Sequence, residues 1–294
     1  MNSYLKSKTG IPAYLSFIKT AFPKFTALLL LSFPSFSFCA ADNPSDHDKI
    51  TMIIGLAKFA DQIESITEMT KSQSQKYIKT LQPEIAGKFE KTIEDSYSRN
   101  NLIPVFSNSF RKNLNSNSIS EVLKWLESDL GKKITNEEIA ALTAENAASF
   151  KPTAFTSLPD ERKKLVEKLI AAISAESFNK KIASEPIRAM MESQQNALPP
   201  DMKQKKEELD KKIEEMQKDA QKDYSSSLPS SIAFIYRNLT NEEFSKMIEF
   251  FDSRAGKNFN SAVQTALLAA LNSAAAETGR GQASIIMFIS RKTK

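Results

Sequence analysis

Two ten-residue stretches, Trp125-Leu126-Glu127-Ser128-Asp129-Leu130-Gly131-Lys132-Lys133-Ile134 and Phe250-Phe251-Asp252-Ser253-Arg254-Ala255-Gly256-Lys257-Asn258-Phe259, carry the reading of this chain. Each closes a longer segment in which apolar residues recur every three or four positions. Ile119, Val122, Leu123, Leu126 and Leu130 form one stripe; Phe244, Met247, Ile248, Phe251 and Ala255 form the other. That spacing places each set on one face of a helix. Gly131 and Gly256 stand where the stripes end, and the sequence predicts a helix stop there, glycine taking a left-handed turn without a Cβ penalty, or a close packing contact. Thr240-Asn241-Glu242-Glu243 opens the second segment as a capping box, Thr240 accepting from the backbone of Glu243 and Glu243 reaching back.

The likeness extends outward. A shift of 125 residues lays Ile103–Ile134 over Leu228–Phe259 without a gap. Identical pairs are Pro104/Pro229, Asn113/Asn238, Leu114/Leu239, Ser120/Ser245, Ser128/Ser253, Gly131/Gly256 and Lys132/Lys257. Type is kept at Lys112/Arg237, Ile119/Phe244, Val122/Met247, Leu123/Ile248, Trp125/Phe250, Leu126/Phe251, Glu127/Asp252 and Ile134/Phe259. A fainter match, at a shift near 116, pairs Ile50, Ile53, Ile54 and Ala57 with Val166, Leu169, Ile170 and Ile173. The reading is an all-α protein of two tandem, diverged copies of a multi-helix unit packed as a bundle. Residues 42–150 are the first unit and 161–294 the second, joined by a linker over 151–160 where Pro152 and Pro159 break the periodicity.

The extra length of the second unit, 199–224, is a helical arm dense in Lys and Glu, with a narrow stripe of Leu209, Ile213, Met216 and Ala220. It reads as a solvated helix covering one edge of the bundle, the alternative being a coiled-coil arm for a partner. A C-terminal helix is expected over Phe259–Glu277, with Ala262, Ala266, Ala270 and Ala274 in one line of methyls. Gly279-Arg280-Gly281 and the short apolar run Ile285–Ile289 follow it. That run docks on the core by default; a basic membrane-surface foot is the reading not favoured.

Residues 1–41 have a separate character. Lys6, Lys8, Lys19 and Lys24 stand there without an acid, followed by the apolar run Phe25–Phe38 and then Cys39-Ala40-Ala41. Charged lead, apolar middle and small-residue end make a secretory signal, cut after about Ala41. The run is broken by Pro34 and falls short of the roughly 20 residues of a spanning helix. Lipidation at Cys39 is not favoured, because Phe38 and Phe36 stand where the processing site takes a small residue and a branched aliphatic one. Taking the four lysines from 40 basic residues leaves 36 against 35 acidic ones, a formal +1. The high isoelectric point therefore belongs largely to the leader, and a nucleic-acid footprint loses its clustered surplus of base.

The pattern of aromatic, apolar, acid, Ser, any, small or apolar, Gly, Lys, any, apolar at Trp125–Ile134 and Phe250–Phe259 resembles the hallmark of a bacterial family of exported helical proteins catalogued as domain of unknown function 2059. That family places a proline after the serine, where this chain has Asp129 and Arg254. The resemblance implies an exported helical fold and brings no activity with it.

The residues also bound the chemistry. With only 7 Gly, the chain has no phosphate-cradling loop. Cys39 is the sole cysteine, and the sole histidine, His47, lies just past the expected cut in a polar stretch, so no triad and no metal site is expected. Ser128 and Ser253 read as turn formers rather than nucleophiles, and the repeat-motif residues Trp125, Ser128, Gly131, Lys132, Phe250, Ser253, Gly256 and Lys257 as structural. No cofactor is called for. Three functions fit, in order: a non-catalytic envelope protein that binds a protein partner, a carrier of an apolar ligand lined by some of the 19 Phe and 9 Met, and a carboxylate-based hydrolase.

Overall fold

The computed structural model describes residues 45–292, and all of their regular structure is helical. The signal expected over 1–41, with Cys39, falls outside the described residues. The first half contains α1 (Asp46–Leu56), α2 (Phe59–Ile78), α3 (Pro83–Ser96), α4 (Arg99–Asn113), α5 (Ser116–Glu127), α6 (Asp129–Leu142) and the short α7 (Ala144–Ser149). Turns over 152–157 lead to α8 (Asp160–Ala172), α9 (Ala175–Ala197), α10 (Lys206–Ile235), α11 (Asn241–Asp252) and α12 (Arg254–Lys292).

The last helix organises the rest. Its 39 residues extend about 58 Å at 1.5 Å per residue. Along one side it runs parallel to α9: Asn260 Nδ2 donates to the Ile173 carbonyl, Asn272 Nδ2 to Glu185, and Gln282 lies against Gln194 and Met190. Along another it meets the first half. Phe259 stands edge-on to Phe110 of α4 at 6.1 Å, and Lys292 pairs with Glu84 of α3. Ala262, Ala266, Ala270 and Ala274 are all buried, as expected of a close seam. The buried apolar side chains of both halves join in one continuous core.

The glycines Gly279 and Gly281 do not break this helix, contrary to the expected end near Glu277. They allow neighbours to approach: a Cβ on Gly279 would lie 2.1 Å from the Met190 carbonyl oxygen of α9. The charged arm also differs from its expected bounds. A 3-10 turn at Pro200–Met202 precedes it, and α10 then continues through Pro229 to Ile235. Leu209, Ile213 and Met216 are buried on α9, where Gln217 Nε2 donates to the Ser184 carbonyl at 2.7 Å and Arg188 faces Asp210 at 3.6 Å. The stripe is thus spent inside the chain, which removes the arm as a free coiled-coil partner.

Among the described residues two other than glycine are left-handed, Lys58 at φ 39° and Ser174 at φ 52°. They are a further 116-residue pair, each the N-cap of the second helix at a sharp corner, α1–α2 and α8–α9. Among the described residues no helix is long and apolar enough to cross a membrane.

Candidate functional site

The two copies of the recurring motif face each other across a half-buried ring stack. Trp125 and Phe250 stack with ring centroids 4.3 Å apart and planes 4° from parallel. Ser128 closes α5 and caps α6, its Oγ accepting from Gly131 N at 3.0 Å; Ser253 does the same between α11 and α12, accepting from Gly256 N at 3.0 Å. The hydroxyls of Ser128 and Ser253 are therefore engaged at helix starts, where they satisfy an orphan N–H.

This arrangement corrects the left-handed reading of the glycines. Each helix of the pair ends at the serine, before Gly131 or Gly256, and the glycine lies in the first turn of the next helix. Leu130 and Ala255 thus belong to the following helices. A Cβ on Gly131 would come 2.2 Å from the Trp125 carbonyl oxygen, and one on Gly256 1.9 Å from that of Phe250. Close passage of one helix under the end of the previous one is the physical requirement, the other of the two roles expected for these residues.

Contacts around the stack are reciprocal, as across a two-fold axis. Lys133 Nζ donates to both carboxylate oxygens of Glu243 at 2.7 Å, beside the N-cap Thr240 of α11. Asn258, the 125-residue counterpart of Lys133, uses Oδ1 to accept from the backbone N–H of Asn115, the N-cap of α5, at 2.8 Å. Its Nδ2 donates to the Asn113 carbonyl at 3.3 Å. The capping box at Thr240 forms as the sequence predicts, Glu243 accepting from Thr240 N at 2.8 Å and Thr240 from Glu243 N at 3.2 Å.

Lys257 is exposed and pairs with Asp252 at 3.3 Å. Both line a groove of about 810 Å³ together with Lys168, Ser174, Asn260 and Gln264, and with the apolar Ala171, Ala172 and Ile248. The turn at Ser174 turns the Ile173 carbonyl out of α8, and the side-chain amides of Asn260 and Gln264 both donate to it, at 2.9 and 2.7 Å. Lys132 is half-buried in α6. His47 occupies the exposed first turn of α1, its Nδ1 3.4 Å from Arg111 Nη1.

One buried titratable group stands out that was not singled out from the sequence. Glu138 of α6 is 3% exposed and accepts a hydrogen bond from Tyr236 Oη at the end of α10, while its other oxygen has no partner. Burial holds its carboxyl well above the usual carboxylate range, with the tyrosine pulling weakly the other way. Burial, with the carboxylate beside it, raises the Tyr236 phenol in turn. The sequence did hold a signal: Glu138 falls in phase with Ile134, Thr135 and Ala141 on the inward face of α6. Among the described residues no group of three or more His, Cys, Asp or Glu could hold a metal ion.

No family model, curated protein or solved structure matches this chain.

Proposed function

We propose that this chain is an exported, non-catalytic helical protein of two diverged units, resembling the family of domain of unknown function 2059, that acts by binding another protein through its helix surfaces. The observation that carries this reading is the fate of the motif. Its serines cap helices, its glycines admit backbone, and its aromatics stack on each other, so the recurrent residues build the scaffold and leave recognition to the exterior. The buried carboxyl of Glu138 has a tyrosine as its hydrogen-bond partner.

The outer face of α10 is the surface that best fits a helical partner. Lys206, Glu207, Glu208, Lys211, Glu214, Glu215 and Lys218 are exposed along it, with opposite charges three or four residues apart. Such a face gives orientation and specificity rather than bulk affinity. A photo-crosslinking residue at Lys211 or Glu215 in the full chain tests this in envelope extract. A discrete crosslinked species, reduced by charge reversal on the same face, supports the proposal. A lone monomer, both on crosslinking and on a sizing column, refutes it.

A further inference from the structure

The turn that ends α10 clasps the first half of the molecule. Tyr236 donates to Glu138, Arg237 Nη2 to Asn146 Oδ1 at 3.0 Å, and Asn238 Nδ2 to Glu137 Oε2 at 2.7 Å, so three successive residues grip α6 and α7. Only the first of these contacts is buried. Beneath it, Arg162 of α8 donates to the Tyr236 carbonyl at 2.6 Å and to Asn241 at 3.2 Å, and its guanidinium lies 4.3 Å over the Phe244 ring. The clasp is therefore fixed on the α10 side and depends on Glu138 on the α6 side.

Among the described residues no cation offsets a charge at Glu138. On α6 itself Lys133 is held by Glu243 and Glu137 by Asn238. Arg162 and Arg237 spend their donors on the groups just named. Asp61, Glu64 and Glu68 of α2, Glu121, Lys124 and Glu127 of α5, and Glu145 of α7 are exposed to solvent, and Lys71 of α2 faces Glu94. One turn before Glu138, Thr135 Oγ1 is also buried without a partner, so the same face of α6 holds two polar atoms that only water could satisfy.

We propose that Glu138 is a proton-operated latch, closed while its carboxyl is neutral and released on deprotonation, when α6 and α7 lift from the end of α10. In the closed state the neutral acid accepts from Tyr236 at little electrostatic cost. Loss of the proton leaves a full charge in a dry site with one donor, and opening hydrates both Glu138 and Thr135. The direction is fixed: acid closes the latch and rising pH opens it. The core along α12 lies outside the clasp and stays shut.

Hydrogen exchange on the full chain at pH 5 and pH 8, with rates corrected for intrinsic chemistry, reads the latch directly. The amides of α6 and α7 are expected to lose protection about tenfold or more relative to those of α12. Glu138→Gln, which stays neutral, is expected to abolish the difference. Tyr236→Phe removes the hydrogen bond that holds the clasp shut and is expected to lower the protection of α6 and α7 at pH 5 as well. Equal protection of α6 at both pH values in the native chain, the same loss in Glu138→Gln, or undiminished protection of α6 at pH 5 in Tyr236→Phe would each overturn the proposal.

Discussion

Replacing Gly256 with alanine tests the packing at the corner between α11 and α12. The added Cβ would stand 1.9 Å from the Phe250 carbonyl oxygen and 2.8 Å from the Phe251 Cα, both backbone atoms. Reaching ordinary contact needs a retreat of about 1.5 Å by the start of α12 or the end of α11. A shift of that size in a filled core costs about 1–3 kcal/mol. It also strains the 3.0 Å bond from Gly256 N to Ser253 Oγ, a cap worth about 1 kcal/mol. Alanine recovers about 1 kcal/mol from its helix propensity, so a net loss of roughly 1–3 kcal/mol is expected. Gly131→Ala should cost somewhat less, its Cβ lying 2.2 Å from the Trp125 oxygen. Gly87→Ala is the control: it is helical and exposed, with nothing within 4 Å of a Cβ, and should gain about 0.5–1 kcal/mol. Urea or guanidinium unfolding of the full chain reads all three variants. If Gly256→Ala and Gly131→Ala stabilise as Gly87→Ala does, the close passage of the two corners is wrong.

Four further outcomes follow from the same geometry. A double-mutant cycle on Trp125→Ala and Phe250→Ala should show a coupling of about 0.5–1.5 kcal/mol beyond lost area, and additive losses would deny the stack. Ile213→Ala should cost about 2–5 kcal/mol by denaturation, because the α10 stripe is packed on α9; a loss near zero would mean that the arm stands free. Global stability should fall as pH rises above the ordinary carboxylate value of 4.5 near Glu138, where the unfolded chain gives up a proton that the folded one keeps. The slope from this group is at most about 1.4 kcal/mol per pH unit and is absent in Glu138→Gln, as titrations of unfolding midpoint would show. Ser174→Gly should raise the unfolding midpoint by about 1 kcal/mol through relief of its left-handed backbone, and an unchanged midpoint would count against that strain.

How far the sequence could be read varied from residue to residue for physical reasons. The stripes at Ile119–Leu126 and Phe244–Phe251, the capping box at Thr240 and the alanine seam are local patterns, and each is present in the fold. Gly131 and Gly256 misled in their detail, because Leu130 and Ala255 continue the apolar period across a corner that the serines had already closed. A glycine demanded by a passing carbonyl looks, along the chain, like one demanded by a helix end. Gly279 was harder still, since the backbone that crowds it lies on α9. Lys58 and Ser174 gave no residue-type signal of left-handed backbone, though the 116-residue pairing places them in register. Of the candidate site, the motif residues were legible, while the meeting of Trp125 with Phe250 and of Glu138 with Tyr236 depended on which faces the halves present to each other.

The long α12 carries a consequence for how the chain is made. Helices in the first half of the sequence, α3 and α4, rest on residues 254–292, which are made long after them. The front half therefore lacks its inner wall throughout synthesis, and its oily surfaces stay uncovered until the final stretch arrives. A polypeptide that cannot close early stays loose, and its final set waits on a single helix.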